Sequence, residues 1–409
     1  MTRVLLLLPT TSYRIPDFLA AAERLGVEVT VASEEASTME SLNPSGLLTL
    51  DFDDPDSAAG EAARFARLHP IAAVLGVDER TAVVAAAVAE RLGLPHDTVG
   101  AVRAAGNKSL LRNALTAAGV PSPAFRLFSL DDDPRAAGAL VRFPCVLKPT
   151  FLAASRGVIR ADGEDGFAAA WYRIAAILSD PDLARRGGAA ARELLVEDFV
   201  PGAEVSLEGL LTRGRLRPLA LLDKPDPLEG PFFEETIYVT PSRLPEDLQA
   251  RCAGVAEAGC RALGLAHGPV HAELRVNDDG VWVIEIAARP IGGLCSRALR
   301  FDSGASLEEL VLLQALGREP ADRRESAASG VLMLPIPKGG VLEDVRGLDT
   351  ARAIPDVVEV TIATRSGQRV VPLPEGDRYL GFVFSRASTP ERAEAALREA
   401  HARLEFVIR

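Results

Sequence analysis

Two glutamates in segment 270–290, VHAELRVNDDGVWVIEIAARP, have a spacing that could hold a divalent metal ion. The segment predicts two apolar strands joined by a three-residue hairpin loop at 278–280, with Asn277 opposite Val281. Counting outward from this turn, Glu273 pairs with Glu285, and their Cβ atoms lie about 5 Å apart. Facing carboxylates repel each other, so a cation is expected between them.

The cation that balances Glu273 and Glu285 could be a metal ion or a side chain. Mg²⁺ is commonly held by one or two carboxylates, with phosphate oxygens and water completing its octahedral shell. Arg275 lies on the same predicted strand face and is the competing cation. A salt-bridged sheet surface is the third interpretation, and a slip of one residue in register would place the two acids on different faces.

Lysine is rare in this chain, and one lysine lies at the end of a predicted strand. Of 45 basic residues, the lysines are Lys108, Lys148, Lys224 and Lys338. Lys148 ends the strand CVLK, and the loop TFLAASRGV follows it. This loop contains Ser155 and Gly157 among other small residues, and its backbone N–H groups could wrap an anion. A lysine ammonium is a compact charge suited to phosphate, whereas an ordinary turn is the alternative interpretation of the loop.

A third candidate element is the segment LLVEDFVPGAEVS, in which a strand ends at a Pro-Gly turn. The backbone edge from Glu197 through Phe199 to Val200 could pair with an adenine. Glu204, beyond the turn, could accept hydrogen bonds from ribose hydroxyls. An ordinary turn with exposed acids is the alternative.

Composition and charge narrow the class of protein. The 409 residues are 48% hydrophobic and 25% charged, which is typical of a globular protein, and the net charge of −12 argues against a nucleic-acid partner. The longest N-terminal apolar run, residues 4–8, is too short for a signal peptide or a membrane span. Four cysteines without metal-type spacing predict reduced core residues of a cytoplasmic protein.

The elements that must position these residues begin with an alternation of strands and helices over residues 1–104. RVLLLLP, VEVTVAS and IAAVLGV are predicted strands, with helices at 15–25, 58–68 and 80–92, which together predict a parallel sheet with helical crossovers. The first turn, PTTSYRIP, lacks a G-x-G-x-x-G fingerprint, and the chain contains no P-loop motif.

The rest of the chain predicts three further units. The second has a helix through residue 118, strands AFRLFSL and PCVLKP, and a helical stretch at 163–193 with a break at Arg-Arg-Gly-Gly. The third opens with ELLVEDFV, and residues 318–328 are polar and typical of a linker. The tail contains strands GVLMLPIP, VVEVTIAT and YLGFVFS and a closing helix at 390–404.

The order of these elements resembles the ATP-grasp superfamily. Asn107-Lys108, then Lys148 with its loop, then VEDFVPGAE, then Glu273, and then Glu285 with Arg289 follow one another over residues 105–300 as they do in that family. The resemblance implies an α/β and α+β multidomain fold: an N-terminal open parallel-sheet α/β domain (1–104), a two-subdomain ATP-grasp fold (105–195 and 196–320) and a small C-terminal α+β domain that completes the large domain (321–409).

The resemblance also implies roles for the residues described above. ATP would bind between the two subdomains, with Lys108 and Lys148 on its phosphates and the loop at Ser155 and Gly157 closing over them. Residues 197–200 would pair with adenine, and Glu204 would bind ribose. Glu273 and Glu285 would hold Mg²⁺ or Mn²⁺.

Position 287 departs from the family pattern. Members often have Asn two residues after the second metal-binding Glu, but this chain has Ala287, so EIAARP differs from E-x-N-x-R. Alanine at this position with Arg289 retained resembles L-amino-acid ligases, and the C-terminal segment also resembles the carboxylate–amine ligase branch.

The implied reaction is ATP-dependent ligation of a carboxylate to an amine through an acyl phosphate. Lys148 and Ser155 would act on the phosphoryl group and Arg289 on the carboxylate, and the partners would be small molecules. A homodimer is common among such relatives. A bicarbonate-activating carboxylase and a non-catalytic nucleotide-binding protein are the alternatives.

The choice of substrate is expected to depend on residues near the cleft. These candidates carry charges or allow close backbone approach, and they are Asp78, Lys224, Glu234, Glu235, His271, Gly292 and Gly293. Each has a structural alternative: Asp78 could simply cap the helix that begins near Arg80, and the acids could be surface groups.

Overall fold

A computed structural model of the protein describes residues 2–318, 320 and 323–409. Its first domain is a parallel sheet with strand order β3-β2-β1-β4, flanked by helices. The elements are β1 (Arg3–Leu7), α1 (Ile15–Leu25), β2 (Glu28–Ser33), β3 (Leu47–Thr49), α2 (Pro55–Ala66), β4 (Ala73–Gly76), α3 (Glu79–Leu92) and α4 (Val99–Ala105). The prediction of a parallel α/β domain is confirmed, and the leucine run of β1 is fully buried because both sheet faces are covered.

The second unit is an antiparallel sheet with order β5-β8-β6-β7. Its elements are α5 (Lys108–Ala117), β5 (Phe125–Ser129), α6 (Pro134–Gly138), β6 (Cys145–Pro149), β7 (Ile159–Ala161), α7 (Glu164–Leu178), α8 (Pro181–Gly187) and β8 (Glu193–Asp198). Phe167 and Trp171 of α7 form the centre of its core. The predicted break at Arg-Arg-Gly-Gly is confirmed, since α8 ends at Gly187. A further break at residues 179–180, which had not been predicted, separates α7 from α8.

An antiparallel sheet of eight strands, β13-β12-β9-β10-β11-β14-β18-β16, forms the large domain. Before residue 320 the elements are β9 (Ala203–Thr212), β10 (Arg215–Lys224), β11 (Ile237–Thr240), α9 (Glu246–Leu263), β12 (His267–Asn277), β13 (Gly280–Ala287) and α10 (Leu307–Ala315). The strands β9 and β10 and the helix α9 had not been predicted from the sequence. Of these, β9 matters most for the site, because it pairs with β12 along the whole of residues 203–212.

The C-terminal segment extends this sheet. Its elements are β14 (Ala328–Leu334), β15 (Gly340–Arg346), α11 (Leu348–Arg352), β16 (Val357–Ile362), β17 (Arg369–Val370), β18 (Gly381–Ala387), α12 (Pro390–Ala402) and β19 (Glu405–Ile408). Strands β14, β18 and β16 continue the large sheet, and β17, β15 and β19 form a separate three-stranded sheet. Of the predicted linker 318–328, residues 319, 321 and 322 lie outside the described part of the chain.

Two cores fix the large sheet between its neighbours. One face packs on α9, and the other shares a core with the first domain, in which Val4 and Leu6 meet Leu210 and Phe382. All four cysteines are free and buried, as predicted. Among the described residues, no helix combines the length and apolarity needed to cross a membrane.

Candidate active site

Alternation along two neighbouring strands brings the charged residues to one face of the large sheet. In β9 and β12, every second side chain packs into the core against α9, among them Leu207 and Leu274. The intervening side chains point to the opposite face. On that face the strand pairing places His271 opposite Glu208 and Arg275 opposite Glu204. A polar surface therefore lies on the side of the sheet that faces away from α9.

The predicted pairing of Glu273 with Glu285 is confirmed, although the predicted turn is wrong. The hairpin has a two-residue turn, with Asn277 opposite Gly280, so each pair near the turn is shifted by one residue from the prediction. A β-bulge between Glu273 and Leu274 compensates for that shift. The bulge restores the two carboxylates to opposite positions.

Lysines, and not Arg275, provide the positive charge beside the two acids. Lys108 Nζ lies 3.2 Å from Glu285, and Lys224 Nζ lies 3.5 Å from Glu273. Arg275 instead opposes Trp282 in the hairpin, where the sequence had predicted Val283, and its Nε donates to Glu204. The interpretation of Arg275 as the balancing cation is therefore wrong.

Glu273 and Glu285 have the chemistry of a Mg²⁺ site. Both are hard oxygen donors from paired strands, and their side chains remain 19% and 22% exposed, so they can reach a ligand in the cleft. Ala287 follows Glu285 by two residues on the same strand face, is buried, and offers no metal ligand. The hairpin therefore offers a metal ion the two carboxylates of Glu273 and Glu285, without a ligand from position 287.

A second acidic group, formed by Glu204, Glu235 and Glu273, surrounds Lys224. Carboxylate oxygens of the three acids lie within 4.8 Å of one another, a separation that suits a metal ion. The Lys224 ammonium contacts all three acids and takes the position of that cation. Burial disfavours the ammonium, but Glu204 and Glu235 outweigh that effect and hold the pKa of Lys224 well above its usual value.

The two predicted acids Glu234 and Glu235 differ in their contacts. Glu235 accepts from the Tyr238 hydroxyl at 2.6 Å, and burial raises the pKa of Glu235. Burial also raises the pKa of Glu234. Within the described residues, Glu234 has no ion-pair partner, so of the two predicted acids only Glu235 joins the Lys224 cluster.

Lys148 belongs to a buried triad at the other side of the cleft. Its Nζ lies 2.6 Å from Glu197, which also lies 2.7 Å from Arg112 of α5. Burial disfavours the Glu197 carboxylate, but Arg112 and Lys148 together lower its pKa below the usual range. The triad joins α5 to the strands β6 and β8 and holds the Lys148 ammonium at the end of β6.

The loop after β6 has an unusual backbone. Ala154 and Ser155 both have φ of 54°, and Gly157 has φ of 72°. A Cβ at Gly157 would lie 2.7 Å from Pro149 Cγ, so both the conformation and the space require glycine. The Gly157 N–H donates to Pro374 O at 2.9 Å, and therefore this donor is engaged by the C-terminal domain in the described state.

Lys108 connects this loop to the acid pair. Its backbone N–H donates to Thr150 O at 2.7 Å, and its Nζ donates to Leu152 O at 2.8 Å while contacting Glu285. Asn107 caps α5 by accepting from the N–H groups of Ser109 and Leu110. The capped start of α5 thus fixes Lys108 between the loop and the carboxylates of Glu273 and Glu285.

The predicted adenine and ribose residues lie next to one another. Phe199 N donates to Pro144 O at 3.1 Å, and Val200 O accepts from Arg275 Nη1 at 2.7 Å. Glu204 accepts from Arg275 at 2.9 Å and from Lys224 at 2.8 Å. A nucleotide hydroxyl would have to share Glu204 with these two cations.

Arg289 forms an ion pair that crosses between the first domain and the large sheet. Its Nε donates to Glu79 Oε1 at 2.8 Å, and Glu79 is the first residue of α3. Burial works against both charges, but each group stabilises the other: the pKa of Glu79 is lowered and that of Arg289 is raised. Asp78, which had been predicted as a substrate residue with helix capping as the alternative, accepts from Thr81 N and caps α3.

His271 lies between two acids of the same sheet face. It bonds to Glu208 through Nδ1, and its Nε2 lies 3.4 Å from Glu273. Burial disfavours the imidazolium, but Glu208 outweighs burial and raises the pKa of His271 to about 9. Glu208 also accepts from Ile291 N at 3.0 Å, which fixes the start of the segment that contains Gly292 and Gly293.

Sequence reasoning missed Arg112 and Glu208, and it is Glu79, directly after the predicted Asp78, that pairs with Arg289. Arg112 lies four residues after Lys108 on α5, a helical spacing that could have identified it. Glu208 lies on a strand that had not been predicted. Among the remaining predicted residues, Lys108 joins the acid pair to the loop after β6, and the Arg289 ion pair lies close to Glu285.

Comparison with known families divides the chain into three matched parts. Residues 19–96 match the ATP-grasp N-terminal domain, residues 141–298 the ATP-grasp domain, and residues 332–409 the L-amino acid ligase C-terminal domain 2. The structure of the L-amino acid ligase from Bacillus licheniformis is 25% identical, with a TM-score of 0.83 over 100% of this chain and 99% of that one.

Similar sequences have both full-length and partial coverage. An uncharacterised protein, y4rH of Sinorhizobium fredii, is 25% identical over 98% of this chain and 82% of its own length. Alanine–anticapsin ligase of Bacillus subtilis is 28% identical over 64% of this chain and 58% of its length. Carnosine synthase 1 of Gallus gallus is 34% identical over 65% of this chain, and the match spans 30% of that protein.

These matches agree with the cleft described above, in which lysines and paired carboxylates lie between two subdomains. They occur in the order expected along the chain, and the likeness to the L-amino acid ligase extends from end to end. The chain is an ATP-dependent, C–N bond-forming ligase of the ATP-grasp family, in the carboxylate–amine ligase branch that includes the L-amino acid ligases.

Proposed function

We propose that the chain joins the carboxylate of an amino acid to an amine through an acyl phosphate. A carboxylate oxygen attacks the γ-phosphorus of ATP, a P–O bond forms, and ADP leaves. The amine nitrogen then attacks the acyl carbon, a C–N bond forms, and phosphate leaves as the C–O bond breaks and the nitrogen loses a proton. These two steps need positioning of the reactants and neutralisation of phosphate charge, and they require no nucleophile from the enzyme.

The observation that carries this proposal is the placement of Lys108 beside the Glu273–Glu285 pair. The Lys108 ammonium lies 3.2 Å from Glu285, so it and a Mg²⁺ ion held by the two glutamates would both be placed to neutralise phosphate charge. Mg²⁺ or Mn²⁺, held by Glu273 and Glu285, would supply charge neutralisation when bound.

The residues around the nucleotide have separate tasks. Lys148, held by Glu197, would bind phosphate oxygens, and the loop at Ser155 and Gly157 would close over them. Closure would have to release the Gly157 N–H from Pro374 O. The backbone edge at residues 197–200, including Phe199, would bind adenine, and Glu204 would accept from ribose.

The Arg289–Glu79 pair suits a zwitterionic substrate. An amino acid carries one group of each sign, so its carboxylate can replace Glu79 on Arg289 while its ammonium takes Glu79. Gly293, with φ of 64° and a ring carbon of Phe382 3.0 Å from its Cβ position, keeps the backbone beside this pair in a shape that other residues rarely adopt.

The amine substrate is proposed to bind nearer the acidic group. His271 and the Lys224 cluster with Glu235 lie on the same sheet face as Glu273, and Gly292 lies close to Arg289. Glu234, which has a raised pKa and no ion-pair partner in the described part of the chain, could accept a proton or a hydrogen bond from the amine. Location in the cytoplasm and assembly as a homodimer remain predictions.

The experiment that tests this proposal is a screen of Mg²⁺-dependent ADP release with single amino acids, amino-acid pairs and bicarbonate, followed by mass spectrometry of products. We expect ADP release that requires a carboxylate substrate and yields a new amide. Release with bicarbonate alone would contradict the proposal and favour a carboxylase; the carboxylase structures that resemble this chain are 14–15% identical and share only the fold.

A pair of matched variants separates catalysis from folding. Glu285→Gln removes the charge of a carboxylate proposed to hold Mg²⁺ and keeps the side-chain volume nearly constant. We expect the ligation rate to fall by several orders of magnitude with the fold retained. Glu61→Gln, an exposed glutamate of α2, is the control and should keep wild-type activity. Equal activity in both variants would contradict the assignment of Glu285.

A further inference from the structure

A cavity of about 270 Å³ lies away from the Lys108–Glu285 centre, between the first domain and the large sheet. One wall is the alanine face of α3, formed by Ala82, Ala85, Ala86 and Ala89. Leu211 of β9 and Ala288, which directly follows β13, contribute to the opposite wall. These side chains give the body of the cavity an apolar lining that can take a branched or aromatic group.

The mouth of the cavity is polar and carries cationic residues. Arg213 and Arg318 are exposed members of the lining, which also includes His96 and His267. The acid in this part of the lining, Asp97, already accepts from the N–H groups of Ala266 and His267. An anionic group at the mouth would therefore meet guanidinium groups.

Gln314 of α10 provides a second, independent indication of a ligand. It lines the cavity, and its amide nitrogen donates to Leu211 O and lies 3.5 Å from Thr212 Oγ1. This bonding orients the side chain and leaves the amide oxygen as the free acceptor. That oxygen is buried and has no hydrogen-bond partner among the described residues. The oxygen itself is not exposed to the cavity, so a ligand N–H would reach it after a small movement of the Gln314 side chain. That contact would be stabilising, because a buried acceptor without a donor is unfavourable.

We propose that the cavity is an effector site for an apolar α-amino acid. The carboxylate would bind at Arg213, the ammonium would donate to Gln314 Oε1, and the side chain would occupy the space along α3. Thr212, which contacts the Gln314 amide, directly precedes Arg213, so the acceptor and the cation lie at the same end of the cavity. An amino acid matches this arrangement because its two charged groups lie on one carbon and its side chain points away from them.

The cavity is linked to the cleft through both of its walls. Helix α3 begins at Glu79, and Ala288 directly precedes Arg289, so the two partners of the interdomain ion pair extend from opposite walls of the cavity. A ligand that binds the described state stabilises that state, in which Glu79 and Arg289 are paired. On the proposed function, the substrate must separate this pair, and the effector would therefore raise the KM of the acid substrate.

Binding can be measured without any assumption about the reaction. Isothermal titration calorimetry of the nucleotide-free full chain with L-leucine and L-phenylalanine should show one saturable site at the cavity. 4-Methylpentanoate, which lacks the ammonium group of leucine, should bind at least tenfold more weakly. The absence of saturable binding by either amino acid would overturn the proposal.

Variants locate the site. Ala86→Leu fills the cavity and Gln314→Leu removes the acceptor, and each should weaken binding at least tenfold. Arg213→Gln should weaken binding as well, whereas Arg215→Gln, the matched control at an exposed neighbour outside the cavity, should not. Binding that survives Ala86→Leu and Gln314→Leu but is lost in Arg289→Met would place the amino acid in the cleft and overturn the proposal.

The regulatory effect is tested in the ligation assay. The effector should raise the KM of the acid substrate at least threefold in the wild type and leave it unchanged in Gln314→Leu. Binding with an unchanged KM would overturn the effector role. If the wild type ligates no substrate, the proposed function fails, while calorimetry still decides whether the cavity binds an amino acid.

Discussion

Replacement of Glu197 by glutamine should destabilise the small ATP-grasp subdomain strongly. The carboxylate is 2% exposed and lies 2.7 Å from Arg112 and 2.6 Å from Lys148, whose side chains are 0% and 9% exposed. Glutamine keeps the volume of the side chain but leaves two buried cations without a counter-charge. Breaking a buried ion pair in this way costs about 3–5 kcal/mol in free energy of unfolding.

Trp171 provides a local probe for this measurement. The chain has two tryptophans, and Trp171 lies in the core of the same subdomain, so a Trp282→Phe background leaves a single reporter there. Urea unfolding of the nucleotide-free protein, followed by Trp171 fluorescence, gives the free energy of unfolding in this background with and without Glu197→Gln. Glu193→Gln, at the start of the same strand, is the matched control and should change the free energy by less than about 0.5 kcal/mol.

The loss of unfolding free energy caused by Glu197→Gln should depend on pH in a defined direction. Because Arg112 and Lys148 lower the pKa of Glu197 in the folded state, its stabilisation is present above the unfolded pKa of 4.5 and is lost as pH falls through the lower folded value. The difference between wild type and Glu197→Gln should therefore shrink below about pH 4.5. A loss under about 1 kcal/mol at pH 7, or a difference independent of pH, would show that Glu197 does not stabilise the fold by balancing Arg112 and Lys148.

The remaining predictions concern the loop after β6 and the buried thiols. Gly157→Ala places a Cβ 2.7 Å from Pro149 Cγ at φ of 72°, so we expect the KM for ATP to rise about tenfold through a strain of about 1–2 kcal/mol, while Gly163→Ala, with nothing within 4 Å, leaves it unchanged. An unchanged KM in Gly157→Ala would contradict the role of this loop. Burial raises the pKa of Cys145 and of Cys260 to about 12, so the native protein should resist alkylation by iodoacetamide at pH 8 in mass spectrometry. Rapid labelling of either thiol without unfolding would contradict the burial.

Much of the fold could be predicted because periodicity is a local property of the sequence. The strand–helix alternation of the first domain predicted a parallel sheet, and helix α1 begins and ends at the predicted residues. The strands β9 and β10 and the helix α9 were missed although local signals mark them. β9 and β10 pair with each other across a two-residue turn at Arg213 and Gly214. Helix α9 has acidic residues in its first turn and Gly264 at its C-terminal cap.

The pairing of the two glutamates was predicted correctly because an error in the turn was offset by a bulge that had not been predicted. The hairpin turn was assigned one residue too long, yet the bulge after Glu273 shifts the pairing back, so the prediction of Glu273 opposite Glu285 is confirmed. A bulge of this kind leaves no clear mark in the sequence. The ion pair of Arg289 with Glu79 joins residues 210 positions apart, and no local pattern could have identified that pair.

The most direct test of the acyl-phosphate mechanism is the fate of a carboxylate oxygen during ligation. An acid substrate labelled with ¹⁸O in both carboxylate oxygens is incubated with ATP, Mg²⁺ and its amine, and the released phosphate is analysed by mass spectrometry. We expect one ¹⁸O atom in each phosphate for each amide formed, because the acyl phosphate transfers that oxygen. Amide formation with unlabelled phosphate would contradict the acyl-phosphate mechanism.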